Sequence, residues 1–170
     1  MLSRHVVILG LMGVGKTGVS RRVGEQLGWE VIDSDDVLEA RTGRTARQIA
    51  EDDGLDALHQ LEAEIALESL RRADPVVVAP AASVVESDAV RDALDGHVVV
   101  WLTGPVEHLA AGAAEKHHRP LVHDEDPIAV IQRQLETRTP LAVPLATAVL
   151  DVTEMSKDEL AAAVLDLVHR

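Results

Sequence analysis

Residues 4–17 read R-H-V-V-I-L-G-L-M-G-V-G-K-T, and the rest of the chain is organised around them. The apolar run over 4–9 has the length and composition of a short buried strand. It opens into Gly10-x-x-x-x-Gly15-Lys16-Thr17, after which residues 16–27 read as a helix closed by Gly28. A strand, a glycine-rich turn and a helix in that order make a phosphate-binding loop. The glycines let successive backbone N–H groups face one anion, and the helix N-terminus adds positive potential. Nucleotide contacts are therefore expected at Gly13, Val14, Gly15, Lys16, Thr17 and Gly18. Lys16 is placed to reach the β and γ phosphates and the Thr17 hydroxyl to ligate Mg²⁺, so ATP with Mg²⁺ is the expected pair. The bland alternative is a glycine-rich turn of no function, and the flanking strand and helix argue against it.

The alternation continues downstream. Strands are expected at 30–33, 76–78, 97–102 and 148–152. Thr45 and Gln48 have capping-box spacing, and 56–70 keeps apolar residues at Leu58, Leu61, Ile65 and Leu70. Ser156 opens a last helix running to about residue 168. Five buried strands separated by helices predict an α/β fold with a mostly parallel sheet. Phe and Tyr are absent and only Trp29 and Trp101 are aromatic, so the core must be Val, Leu, Ile and Ala. That composition suits helices packed on a parallel sheet. At 170 residues the simplest organisation is one domain spanning 1–170. Residues 112–127 break the pattern with Lys116, His117, His118, Arg119 and a following acidic patch. Their length and mixed charge suggest a mobile lid.

Composition narrows the partners. Without cysteine there is no disulfide framework and no thiolate chemistry. No apolar run reaches the length of a membrane span and the first residues lack a signal-peptide layout, so a cytoplasmic protein is expected. The net charge of −13 disfavours nucleic acid and anionic membranes. It leaves small anions open, because a local nest of N–H groups binds phosphate in a negative field. A small hydroxylated molecule is the expected partner, on a monomer or weak homodimer.

Further motifs carry a resemblance. V-I-D-S-D at 31–35, R-T-G-R-T at 41–45 and E-D-D-G-L-D-A-L-H-Q-L-E at 51–62 follow the loop in succession. G-H-V-V-V-W-L at 96–102, R-P-L at 119–121 and T-R-T-P-L at 137–141 extend it to the end of the chain. The chain resembles the shikimate kinase family. That resemblance implies a three-layer P-loop kinase fold, with a five-stranded parallel sheet in order 2-3-1-4-5 and a lid over the nucleotide. It also implies a role for Asp33 near Mg²⁺ and for Asp35 on the acceptor hydroxyls. Arg119 would close on the transferred phosphoryl group, and Arg138 would hold the acceptor carboxylate. Two carboxylates at i and i+2 past a strand end suit metal and hydroxyl contacts, but Asp33-Ser34-Asp35 also reads as a helix N-cap with an acidic first turn. Arg119 offers a permanently charged fork, with a solvated loop arginine as the alternative. Arg138 alternatively faces a helix C-terminus.

The pattern breaks on the acceptor side. The family's glycine triplet is matched by Ala81, Ala82 and Ser83, whose Cβ atoms resist positive φ and imply a reshaped or withdrawn loop with Ala82 as the contact. Its Phe-Arg is matched by Leu58-His59 ahead of Glu62. His59 supplies one donor at most, and one lost charged hydrogen bond costs about ten- to hundred-fold in affinity. Glu62 could pair with His59, or His59 could be merely an exposed helix residue. Ala142-Val143-Pro144 replaces a Tyr-Arg continuation, and Gly112 stands where the family often has an adenine-stacking arginine. The 76–78 strand ends in Ala79-Pro80, where an acidic residue often helps hold Mg²⁺, leaving Thr17 and Asp33 as the metal side.

Two functions remain in view. One is an ATP-dependent kinase that transfers the γ-phosphoryl group to a hydroxyl of shikimate or a related compound. Lys16 and Arg119 would stabilise the moving group and Asp35 would act as general base. The other keeps the nucleotide but has lost transfer and acts as a binding or regulatory module. Intact Asp35 and Arg138 favour the first, and the 81–83 loop favours the second. A nucleic-acid-handling ATPase is disfavoured by charge and size.

Overall fold

The computed structural model describes residues 4–115 and 126–170. Five parallel strands form one sheet: β1 (Val6–Gly10), β2 (Glu30–Asp33), β3 (Val76–Ala79), β4 (Val98–Thr103) and β5 (Ala148–Asp151). Their spatial order is β2-β3-β1-β4-β5, which is the order that the family resemblance implies. Helices α1 (Lys16–Leu27), α2 (Ser34–Thr42), α3 (Ala46–Asp53) and α4 (Leu55–Leu70) precede β3 or follow β1 in chain order. After β3 come a 3₁₀ turn over Ala82–Glu86, α5 (Asp88–Ala93), α6 (Val106–Ala114), α7 (Pro127–Ala142) and α8 (Lys157–Val168). No described helix is long and apolar enough to cross a membrane.

The central strands are covered on both faces, which is why they read as continuous apolar runs rather than alternating ones. Val6, Val7, Ile8 and Leu9 of β1 are buried, as are Val98 to Leu102 of β4, with Trp101 in the same core. Helix α1 packs beside α8, while α4, α5 and α7 gather around the 3₁₀ turn. A second apolar cluster, Leu38, Ala46, Ile49, Leu58 and Ile65, ties α2, α3 and α4 together. It holds that group of helices as a unit at the C-terminal end of β2. The Thr45–Gln48 capping box forms as its spacing implies, and Ser156 with Glu159 forms another at α8. Strand order reverses direction at β1, so a crevice opens at its C-terminal end, where the phosphate loop begins.

The opposite end of the sheet carries a histidine pair, His5 buried and His97 half-buried. His5, just before β1, stacks on His97, just before β4, with ring centroids 4.8 Å apart. The Val76 N–H donates to His5 Nδ1 at 3.3 Å, so Nε2 carries the proton that faces the Leu70 carbonyl oxygen at 3.1 Å. His97 Nδ1 accepts from the His5 backbone N–H at 3.0 Å. Each ring thus spends its lone pair on a backbone amide, and burial is the main cause holding both imidazoles below their usual pKa. Arg72 adds to the lowering at His5; at His97 the neighbouring His5 and Arg4 add to it, and Asp95 opposes it. Because the unfolded chain binds protons first, this stabilisation is complete above about pH 6.5 and declines below it. Proton NMR should show both rings titrating below pH 6.5. The loss of urea stability between pH 6.5 and 5 should be smaller in His5→Gln than in the parent.

Candidate active site

The phosphate loop leaves β1 and turns on two glycines in the left-handed region, Gly13 (φ +87°) and Gly15 (φ +95°). Gly15 is the N-cap of α1 and no side chain caps that helix, so its first amides remain directed at the crevice. The Lys16 ammonium donates to the Gly10 carbonyl oxygen at 2.6 Å, folding it back across the loop. Val14 is different from its neighbours: its side chain is buried and its N–H donates to the Leu11 carbonyl at 3.2 Å.

Thr17 and Asp33 meet although β3 lies between their strands. The Thr17 hydroxyl donates to Asp33 Oδ2 at 2.8 Å, and Asp33 Oδ1 accepts the Asp35 N–H at 3.0 Å. Asp33 is also the N-cap of α2, so the capping and functional readings of Asp33-Ser34-Asp35 describe the same side chain. Ala79 is the register partner of Asp33 on β3 and is buried beneath this contact. A methyl group there leaves the span open; a longer side chain would fill it. The resulting cavity, about 360 Å³, is lined by Gly13, Gly15, Thr17, Gly18, Asp33 and Asp35 among others. Three cations, Lys16, Arg21 and Lys157, face three acids there, Asp33, Asp35 and Asp36.

A second cavity of about 190 Å³ adjoins it, and Met12 and Lys16 line both. Its walls include His59, Glu62, Ala82, Ser83 and Arg138, with Leu55, Leu58 and Val130 as apolar surface. His59, Ala82 and Arg138 therefore come together as expected, whereas Asp35 lines the phosphate side. Arg138 is nearly buried on α7, and its Nε donates to Glu86 at 3.1 Å. It is not the helix-terminal arginine of the alternative reading, because four residues of α7 follow it.

In the 81–83 loop Ala81 is extended (φ −62°, ψ 145°) and Ala82 begins the 3₁₀ turn, with no positive φ, so the Cβ atoms carry no backbone strain. Three expectations need correction. Glu62 does not pair with His59; its buried carboxylate accepts the Ser83 hydroxyl at 3.1 Å. Ser83 thus serves the Glu62 carboxylate across the 21 residues that separate them. His59 is half-buried on the cavity wall rather than merely exposed. Gly112 and Pro127 are not part of an irregular stretch, since they lie in α6 and at the start of α7. The remainder of the expected lid, including Arg119, lies mostly outside the described residues.

Gly112 has a packing reason. A Cβ placed on it would lie 2.4 Å from the Gly13 carbonyl oxygen, and one on Gly13 would lie 2.4 Å from Leu109 O. Helix α6 therefore rests directly on the phosphate loop through two bare backbones. Residue-by-residue matching flagged position 112 only as a lost arginine, because the contact spans 99 residues of sequence. Arg133, Gln134 and Lys157 were also missed. The signal for the first two was available in the spacing of Val130, Arg133, Gln134 and Arg138 on one helical stripe.

Comparison with known proteins agrees with this geometry. The family model for shikimate kinase matches residues 12–169. The shikimate kinase of Corynebacterium glutamicum is 33% identical over 97% of this chain and 96% of its own length. That of Halorhodospira halophila is 36% identical over 88% of this chain and 84% of its own length. Among solved structures, shikimate kinase from Acinetobacter baumannii in complex with shikimate superposes with a TM-score of 0.89 at 29% identity, covering 98% of this chain and 93% of that one.

Two substitutions test the packing of the site. Gly112→Ala should lift α6 from the loop and raise the Kd for ADP by about ten-fold or more, as small misplacements of binding groups do. Isothermal calorimetry beside a thermal melt separates this from unfolding. Ser83→Ala removes a hydrogen bond to a buried carboxylate and should lower stability by about 1 kcal/mol in urea denaturation.

Proposed function

The chain belongs to the shikimate kinase family, and on that premise we propose that it transfers the γ-phosphoryl group of ATP to a hydroxyl of shikimate or a closely related hydroxylated acid. The observation that carries this reading is that Lys16 lines both cavities. An ammonium shared between the phosphate side and the acceptor side is placed to accompany a group that moves from one to the other. The whole chain, 1–170, acts as one catalytic domain in this reading.

The residues divide the work. Amides at Gly13, Gly15, Lys16, Thr17 and Gly18 cradle the phosphates, with Val14 shaping the turn from inside. Thr17 and Asp33 offer the hard oxygen donors that Mg²⁺ takes when most of its remaining ligands are phosphate and water. Bound there, Mg²⁺ would neutralise charge on the β and γ oxygens. Asp35 accepts the proton of the acceptor hydroxyl as its oxygen bonds to phosphorus and the bond to the β-phosphate oxygen breaks. Arg119 is assigned to the phosphoryl oxygens by the family resemblance. Arg138, held at Nε by Glu86, takes the acceptor carboxylate, while His59 and the Ala82 backbone border the acceptor. A module that only binds nucleotide has no use for Asp35 or Arg138, so transfer is the favoured reading.

An ADP-release assay with Mg-ATP and shikimate tests it, with water and neutral sugars as controls. Turnover above the water background is expected. Lys16→Ala should lower kcat by about a thousand-fold and Asp35→Asn by about a hundred-fold or more, both with the fold intact by circular dichroism. No release above background with any hydroxylated acid would refute the proposal.

A further inference from the structure

The acceptor cavity shows an uneven distribution of charge. Helix α4 contributes His59 and the buried carboxylate of Glu62, which is served by Ser83. Helix α7, on the other wall, contributes two guanidinium groups, Arg133 and Arg138, with Gln134 between them. These residues follow Val130 at spacings of three, four and eight, so they share one helical face. Val130 and Arg138 are buried at either end of that stripe, which fixes the face toward the cavity. Two arginines on a face turned to a pocket make that wall favourable to an anion, even with Glu86 paired to one of them.

We propose that Arg133 is a specificity-determining residue that binds the acceptor's carboxylate together with Arg138, so that α7 alone forms a two-cation clamp. The inference rests on the acceptor being a hydroxylated acid, as proposed above. Glu86 holds the Arg138 guanidinium through Nε, and Arg138 lines the cavity. Arg133 lies about one and a half turns before it, on the solvent side of the cavity mouth. An anion entering from solvent meets Arg133 first and Arg138 deeper in. The opposite wall repels it through Glu62, so the acceptor is oriented with its carboxylate on α7 and its hydroxyls toward Lys16. Arg133 is itself engaged in another interaction, which the acceptor must displace, so its effect belongs at the lower end for a charged hydrogen bond.

The test compares parent, Arg133→Gln and Arg133→Lys, with shikimate and its uncharged methyl ester as acceptors and saturating Mg-ATP. D-gluconate and D-glucose form a second acid and neutral pair. Arg133→Gln should raise the KM for the acid acceptor by about ten-fold, leave the KM for ATP unchanged, and have little effect on the neutral partner. Arg133→Lys should fall between, because it keeps the charge without the fork. A chain inactive on shikimate but active on gluconate, with the same selective loss in Arg133→Gln, would refute shikimate as acceptor and uphold the clamp. An unchanged KM for the acid in Arg133→Gln, or an equal loss for acid and neutral acceptor, overturns the clamp. Activity confined to neutral acceptors, or absent from all, overturns both readings.

Discussion

The hydrogen bond from Thr17 to Asp33 joins two segments that the sheet holds apart. Thr17 belongs to the helix that follows the central strand, and Asp33 ends the edge strand two positions away. The bond closes over Ala79, and Asp33 at the same time caps α2 through the Asp35 amide. One carboxylate therefore fixes three things: the rotamer of the proposed metal-ligating hydroxyl, the start of a helix, and the position of the proposed base. This is an economical use of an N-cap, since the oxygen not needed by the amide is the one that faces Thr17.

The acceptor wall follows from a different constraint, the burial of Glu62. A carboxylate nearly sealed from solvent requires hydrogen-bond donors wherever it sits. Ser83 supplies one, from the loop where relatives are expected to carry glycine. The same 3₁₀ turn ends in Glu86, which holds Arg138. A segment of five residues orients charge on both α4 and α7, and its one alanine, Ala82, belongs to the core as well as to the cavity wall.

Charge is partitioned with equal economy. The chain carries a net −13, yet both cavities contain cations at their centre, with Lys16 common to the two. Surface acids paired with arginines, such as Glu68 with Arg41 and Glu30 with Arg72, lie exposed and contribute little to stability. Within a chain of negative net charge, the cations lining the two cavities and the open amides at the start of α1 mark where an anion can bind.

The sequence by itself determined the fold and the phosphate side of the site. Apolar runs of strand length, the loop from Gly10 to Thr17, and the caps at Thr45 and Ser156 are local patterns, each written in consecutive residues. Lys16 and Thr17 could be named from the loop motif itself, whereas the roles expected of Asp33 and Asp35 came from the family resemblance. The acceptor side was legible only as a list of departures. Whether serine at 83 harmed the site depended on a carboxylate 21 positions earlier. Whether glycine at 112 meant a lost side chain or a close contact depended on a loop 99 positions away. Such pairings carry no periodicity and no fixed spacing; the parallel crossovers bring them together, and only the packed structure decides what each side chain meets.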